Sequence, residues 1–343
     1  MKIALDAMGG DHGLSPVVEG ALQALKELDV EFILVGHEDS LRSELERVQC
    51  TDSRVTVRHA SQTVDMHESP AQVARKKRDS SIWVATDLVK TGEAQAVVSA
   101  GNTGAAMVSA FFLLGTIKGV ERPAIAATLP TIRGTAIMLD VGATVDCSAQ
   151  QLHQFAIMGH EYAKYLMDIA QPRVGLLSIG EEASKGNEVT KEAFLLLKES
   201  SLNFIGNVEG KDVYSGTADV IVCDGFLGNV SLKISEGLAE AMKKILMSEV
   251  MNSTLGRLSL AFMTGPLMRL KRRTDYAEFG GAPLLGVNGV CMICHGRSSA
   301  KAIKNAIRRA NALAQGRLID LIQRDIAESL TSPMTPSPQM ACE

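Results

Sequence analysis

The chain of 343 residues is 46% hydrophobic and only 4% aromatic, which points to an α/β enzyme rather than a β-sandwich or a disordered protein. A formal net charge of -4 supplies no global attraction to nucleic acid or to an anionic membrane, so any site for a membrane must be local and no nucleic-acid role is expected. This length suits one large domain or two intimate ones.

In chain order, short β-branched runs alternate with longer amphipathic stretches. KIALDA, EFILVG, VTVRHA, AVVSA, IMLDV, VGLLSIG, FIGNV and DVIVCD read as buried strands. Helices are expected at 16–28, 70–91, 103–115, 149–169, 187–199, 230–251 and 299–328. The alternation predicts a parallel sheet covered by helices on both faces. Gly265 and Pro266 fall between two helical stretches and are expected to force a turn, making 230–275 a helical hairpin that stands off the sheet. The segment TSPMTPSPQMACE has little that can pack, so 331–343 reads as a disordered tail after a single α/β domain of residues 1–330.

Asp6 and Asp11 interrupt the amino-terminal apolar stretch before a secretory segment can form. Ala105 to Ile117, the longest weakly polar stretch, is short of the roughly 20 apolar residues of a membrane span. The cysteines at 50, 147, 223, 291, 294 and 342 are therefore expected to be reduced thiols in a cytoplasmic protein.

In open parallel sheets, ligands bind beyond the carboxyl ends of the strands, where loops meet helix amino termini with free N–H groups. Those ends are rich here in small and polar residues. Asp6 runs into MGGDHG with His12, and Ser99 runs through Gly101, Asn102, Thr103 and Gly104 into a helix. Asp140 with Gly142, Ser178 with Glu181, and Asp224 with Gly225 follow. The Ser99 to Gly104 loop suits a phosphate or an oxyanion, because glycine admits close approach and a helix amino terminus favours negative charge; any one such loop also serves simply as a tight turn. Lys185 and Asn187 in GEEASKGNE put a cation and an amide at another strand end, on what also reads as an ordinary solvated loop.

No GxxxxGK[ST] and no GxGxxG after a strand occurs, which argues against ATP, GTP or a conventionally bound dinucleotide, and no cofactor is expected. Cys291 to His295 spells CxxCH, the pattern of covalent haem attachment, but the run is apolar and strand-like and no second cysteine pair completes a zinc set. Neither haem nor metal is expected, and the two thiols read as buried and structural. From Leu255 to Arg273, apolar residues including Phe262 accompany Arg257, Arg269, Lys271, Arg272 and Arg273. That pattern fits a membrane surface, an acidic protein, or the stripe of a symmetry mate in a homodimer.

The ordered blocks KIALDAMGGDHGLSPVVEGA, SAGNTGA, GEEASKGNE, DVIVCDGFLGNVSLK and YAEFGGAPLLGVNGVCMICHGRSSA closely resemble the bacterial phosphate acyltransferase (PlsX) family, from Met1 to about Asp325. The resemblance implies a Rossmann-like, three-layer, parallel-rich fold related to phosphotransacetylases and isocitrate dehydrogenase-like proteins. It also implies a homodimer with peripheral membrane contact. The implied reaction moves a long-chain acyl group from acyl carrier protein to inorganic phosphate, giving acyl phosphate for a downstream acyl-phosphate:glycerol-3-phosphate acyltransferase in phospholipid synthesis.

For such a reaction, Lys185 and His12 with the Ser99 to Gly104 loop are the candidates to hold phosphate, and Asn187 or Asn229 to polarise the thioester carbonyl. Asp224 is the candidate to take a proton from hydrogen phosphate or to orient a histidine. Cys223 is not expected to be a nucleophile. Cys291 and Cys294 stand where simple aliphatics would be expected. The rival readings are a phosphate acetyl- or butyryltransferase using coenzyme A and a non-catalytic membrane-surface scaffold, with a dehydrogenase of related fold third.

Overall fold

The computed structural model describes residues 1–252 and 254–331. Its first part runs β1 (Lys2–Asp6), α1 (Ser15–Leu25), β2 (Glu31–Gly36), α2 (Glu38–Arg47), β3 (Val55–His59), α3 (Pro70–Lys76), α4 (Ser81–Lys90), β4 (Ala96–Ser99) and α5 (Thr103–Leu114). The middle holds β5 (Ala124–Ile125), β6 (Ala127–Thr131), β7 (Gly134–Leu139), α6 (Ala149–Met167), β8 (Val174–Leu177), α7 (Glu188–Glu199), β9 (Phe204–Val208) and β10 (Val220–Val222). The last part comprises α8 (Gly225–Asn252), α9 (Thr254–Thr274), α10 (Tyr276–Phe279), β11 (Ala282–Leu285), β12 (Val290–Ile293), α11 (Ala300–Gln315) and α12 (Leu318–Thr331).

Every run read as a strand is a strand, but the strands divide between two sheets. The first has the order β3-β2-β1-β4-β12-β11-β5 and the second β6-β7-β10-β8-β9. The pairs from β3 to β12 are parallel, with β11 antiparallel to both its neighbours. In the second sheet only β6 is antiparallel. Only Ala126 separates β5 from β6, so the chain passes from one sheet to the other in one residue.

Strand alternation sends Ile3 and Leu5 to one face and Ala4 to the other, and each face builds its own apolar core. The first core joins Leu5, Phe32 and Val98 to Ile137, Leu139, Leu176 and Val222, and so extends across both sheets beneath α1, α6 and α11. The opposite core gathers Val35, Val97 and Ile293 with Met138 and Ile221 beneath α4 and α5. Removing a fully buried side chain such as Leu139 to alanine is worth about 2–5 kcal/mol. The result is a parallel-rich sheet layer between two helical layers, with buried strands that read as continuous apolar runs.

Three expectations need correction. The stretch 70–91 is two helices, because Ser80 is extended and starts α4 afresh; 299–328 likewise breaks at extended Gly316. The turn expected at Gly265 and Pro266 is absent: Pro266 lies inside α9. A proline removes the bond to the carbonyl four residues back, here that of Phe262. Phe262 is 88% exposed, so water can serve that carbonyl and the helix continues. The expected tail from 332 onward lies outside the described residues.

Candidate active site

Asp6 ends β1 beside β4, where the order of the first sheet reverses from β1-β2-β3 to β4 and leaves a crevice. The Ser99 hydroxyl donates to Asp6 Oδ2 at 2.6 Å and accepts from the Gly101 amide at 3.0 Å. Asp6 Oδ1 makes no hydrogen bond of regular geometry. Burial holds the Asp6 pKa above its ordinary 3.8, against the opposing pull of Ser81, Ser99 and the amides of Met8 and Gly9. The loops after β1 and β4 approach most closely at two glycines: a Cβ on Gly9 would lie 2.6 Å from the Gly101 backbone. The Asp11 amide donates to the Gly296 carbonyl at 2.8 Å and ties this edge to the turn after β12.

Asn102 caps α5. Its Oδ1 accepts from the Ala105 amide at 2.9 Å, and its Nδ2 donates to the carbonyls of Asp65, Met66 and Glu68, each at 3.0 Å. This side chain therefore clamps the 65–68 loop over the helix start and leaves the Thr103 and Gly104 amides as the first-turn donors that it does not satisfy. Gly104 is close-packed on Pro70. His12 stands exposed on the same edge.

The second sheet has its own buried aspartate. Asp140 follows β7 with no solvent exposure; Oδ1 accepts from the amides of Ile125 at 2.8 Å, Gly142 at 3.1 Å and Ala143 at 3.0 Å, and Oδ2 from Thr144 at 2.5 Å. Burial still raises its pKa. The start of α8 presses on this turn, since a Cβ on Gly228 would lie 1.9 Å from the Asp140 carbonyl oxygen and the Asn229 side chain is 3.7 Å from the Cβ position of Gly142. Asp224 Oδ1 accepts from the Leu227 amide at 2.7 Å and starts the helix.

α8 joins the two edges. Asn229, Lys233 and Glu236 share one face at helical spacing. Asn229 meets the Gly142 turn, while Lys233 and Glu236 lie in the electrostatic field of His295, together with Asp11 and Arg297 from the first edge. Seven residues of helix span about 10 Å. The His295 imidazole is held below its ordinary pKa of 6.5, first by burial and then by Lys233, and its Nδ1 accepts from the Arg297 amide at 3.2 Å. Lys233, His295 and Asp11 were not among the residues singled out from sequence; His295 was hidden in the CxxCH pattern, and only the β4–β12 pairing carries it to this edge.

The sequence candidates thus divide. His12 and the 99–104 loop occupy the first edge, and Lys185, Asn187, Asp224 and Asn229 the second. Lys185 is exposed after β8; β10 lies between β8 and β7, a separation of about 10 Å. Asn187 caps α7 by accepting from the Thr190 amide at 2.9 Å. Nearby thiols are kept protonated: burial lifts Cys147, Cys291 and Cys294 to about 12 and Cys223 well above its ordinary value.

On α9, Phe262, Arg269 and Arg272 are exposed. Arg273 donates to the carbonyls of Thr131 at 3.1 Å and Ile132 at 3.0 Å, which commits it to the β6–β7 turn. The side chains of Arg257 and Lys271 lie outside the described residues. No helix among the described residues is long and apolar enough to cross a membrane.

Known proteins match this chain along nearly its whole length. The family model described as "Fatty acid synthesis protein" matches residues 1–320. A phosphate acyltransferase of Trichlorobacter lovleyi is 51% identical over 96% of this chain and 95% of its own. Another, of Geotalea uraniireducens, is 53% identical over 92% and 91%. Among solved structures, a phosphotransacetylase from Streptococcus pyogenes superposes with a TM-score of 0.65 at 19% identity, over 92% of this chain and 94% of its own. A branched-chain phosphotransacylase from Enterococcus faecalis gives 0.57 at 16% identity, over 92% and 99%; both show likeness of fold. The chain belongs to the phosphate acyltransferase (PlsX) family of acyltransferases.

Proposed function

We propose that the protein transfers a long-chain acyl group from the thioester of acyl carrier protein to inorganic phosphate. Hydrogen phosphate attacks the carbonyl carbon, a C–O bond forms, the C–S bond breaks, and the phosphate proton passes to the departing thiolate. The products are acyl phosphate and free carrier thiol, with no net change of charge and no need for ATP. The observation that carries the reading is the face of α8 linking Asn229, at the Gly142 turn, to Lys233, which pairs with Glu236 at 3.3 Å and whose charge acts on His295. Such a face offers an amide donor for a carbonyl oxyanion, a cation for phosphate and a neutral imidazole for the proton.

Lys185, His12 and the amides of Thr103 and Gly104 complete the phosphate contacts in this proposal, and Ser99 and Asn102 act by holding the loop. Asn187 and Asp224, whose oxygens cap helices, are assigned to positioning α7 and α8. With His295 neutral as proton carrier, kcat/KM falls as pH drops through the depressed imidazole pKa, below 6.5. A profile flat from pH 5 to 7 would remove His295 from the proton path.

The exposed stripe Phe226, Val230, Ile234, Leu238, Met242 and Ile245 on α8 supports this helix as the element for a homodimer mate or for peripheral membrane contact of a cytoplasmic protein. Arg269 and Arg272 would receive the acidic carrier protein, and acyl phosphate would pass to an acyl-phosphate:glycerol-3-phosphate acyltransferase. The test mixes protein, palmitoyl-acyl carrier protein and phosphate. Phosphate-dependent release of thiol with stoichiometric acyl phosphate is expected; turnover of palmitoyl-coenzyme A alone, or silence with both donors, would overturn the reading.

A further inference from the structure

At the amino ends of β7, β8 and β10, on the far side of the second sheet from Asp140, lies a cavity of about 400 Å³. Thr135 on its wall and Asp140 are five residues apart along β7, about 17 Å. The cavity is lined by three arginines and one carboxylate, Arg133, Arg173, Arg309 and Asp219. Arg173 is spent: it grips Asp219 with two hydrogen bonds, at 2.8 and 2.9 Å, and donates to the Gly216 carbonyl.

Arg309 is held differently. Its half-buried guanidinium donates to the hydroxyls of Thr128 at 3.0 Å and of fully buried Tyr162 at 3.3 Å. Both of these partners are neutral hydroxyls. Removing a cation from water without a counter-charge is costly, so the cavity offers a fixed positive charge that an anion would neutralise. Arg133 adds a second at the rim, with its stem over Gly216, and Arg273 sits on the adjoining β6–β7 turn. The lining also includes the apolar side chains of Leu166, Ile169 and Phe279. A volume of this size suits a small organic ligand.

We propose that this cavity is a second ligand site, for an amphiphilic anion whose phosphate or carboxylate head pairs with Arg309 and Arg133 while a short alkyl chain lies on Leu166, Ile169 and Phe279. The proposal stands independently of the acyl-transfer reading, because the cavity and the candidate active site occupy opposite ends of the sheet.

Isothermal titration with octyl phosphate, octanoate and inorganic phosphate tests it on the full chain. Octyl phosphate is expected to bind the wild type at an Arg309-dependent site, whether or not it also enters the candidate active site as a likeness of an acyl phosphate. Arg309→Gln should lose that site, and Arg133→Gln should weaken it at least tenfold. The exposed Arg133 variant keeps the test valid if Arg309→Gln fails to fold. Octanoate binding at the Arg309-dependent site would assign it to free carboxylates as well; octanoate silence there would restrict it to alkyl phosphates. Unchanged stoichiometry and affinity in the arginine variants would overturn the site, and inorganic phosphate binding there as tightly as octyl phosphate would overturn the amphiphile.

Discussion

Asp6, the last residue of β1, and Asp140, the residue after β7, are the same residue type at the carboxyl ends of strands in the two sheets, and they are satisfied in opposite ways. Asp140 accepts four backbone amides with its two oxygens; Asp6 takes one hydroxyl at regular geometry and leaves Oδ1 without a partner of regular geometry. The lesson is that one strand end is a scaffold whose turn is wound on a carboxylate, whereas the other retains unused acceptor capacity beside a crevice.

The comparison breaks most severely at Asp140. Asp140→Ala removes the acceptor of four backbone N–H groups, those of Ile125 and Thr144 buried and those of Gly142 and Ala143 half-buried; the buried two are each worth about 1–3 kcal/mol, so urea unfolding should show a loss of about 4 kcal/mol or no folded protein. A loss under about 1 kcal/mol would deny the turn its scaffold role. Asn229→Ala, beside that turn, should leave the urea midpoint in place and lower kcat about 100-fold, equivalent to about 2.7 kcal/mol. On the other edge, Gly9→Ala forces a Cβ to 2.6 Å from the Gly101 backbone and should cost about 1–3 kcal/mol.

Asp6→Asn should have the smallest effect and the opposite sign. A raised carboxyl pKa means that the charged form is disfavoured in the fold, so its stability contribution is fully present below 3.8 and is lost as pH rises through the folded pKa. The amide can still accept from Ser99. Asp6→Asn is therefore expected to be more stable than wild type at pH 7, a gain that shrinks towards pH 4. A gain constant across that range, or a loss, would show that Asp6 is as well satisfied as Asp140.

Central strands were legible because buried parallel strands are continuous apolar runs. β5 is only Ala124–Ile125, while Pro130 in β6 and Pro283 in β11 broke the pattern of those strands. α2 buries only Leu41 and so carries no apolar stripe. The division into two sheets depends on strand order, which no local pattern encodes. Within the site, the polar strand ends were visible, but Asn102, Asn187 and Asp224 bind amides at helix starts; asparagine and aspartate are good caps and good ligands for one reason, their short acceptor oxygens. His295 reaches the site only through the β4–β12 pairing.

The protonated thiols carry a chemical consequence. A carrier thioester exchanges its acyl group with any accessible thiolate, and an acylated cysteine would divert the group from phosphate. With Cys147, Cys291 and Cys294 lifted to about 12 and Cys223 well above its ordinary value, the thiols around the strand ends are nearly all un-ionised at neutral pH. The fold thereby removes its own competing nucleophiles from the one place where an activated acyl group would meet them.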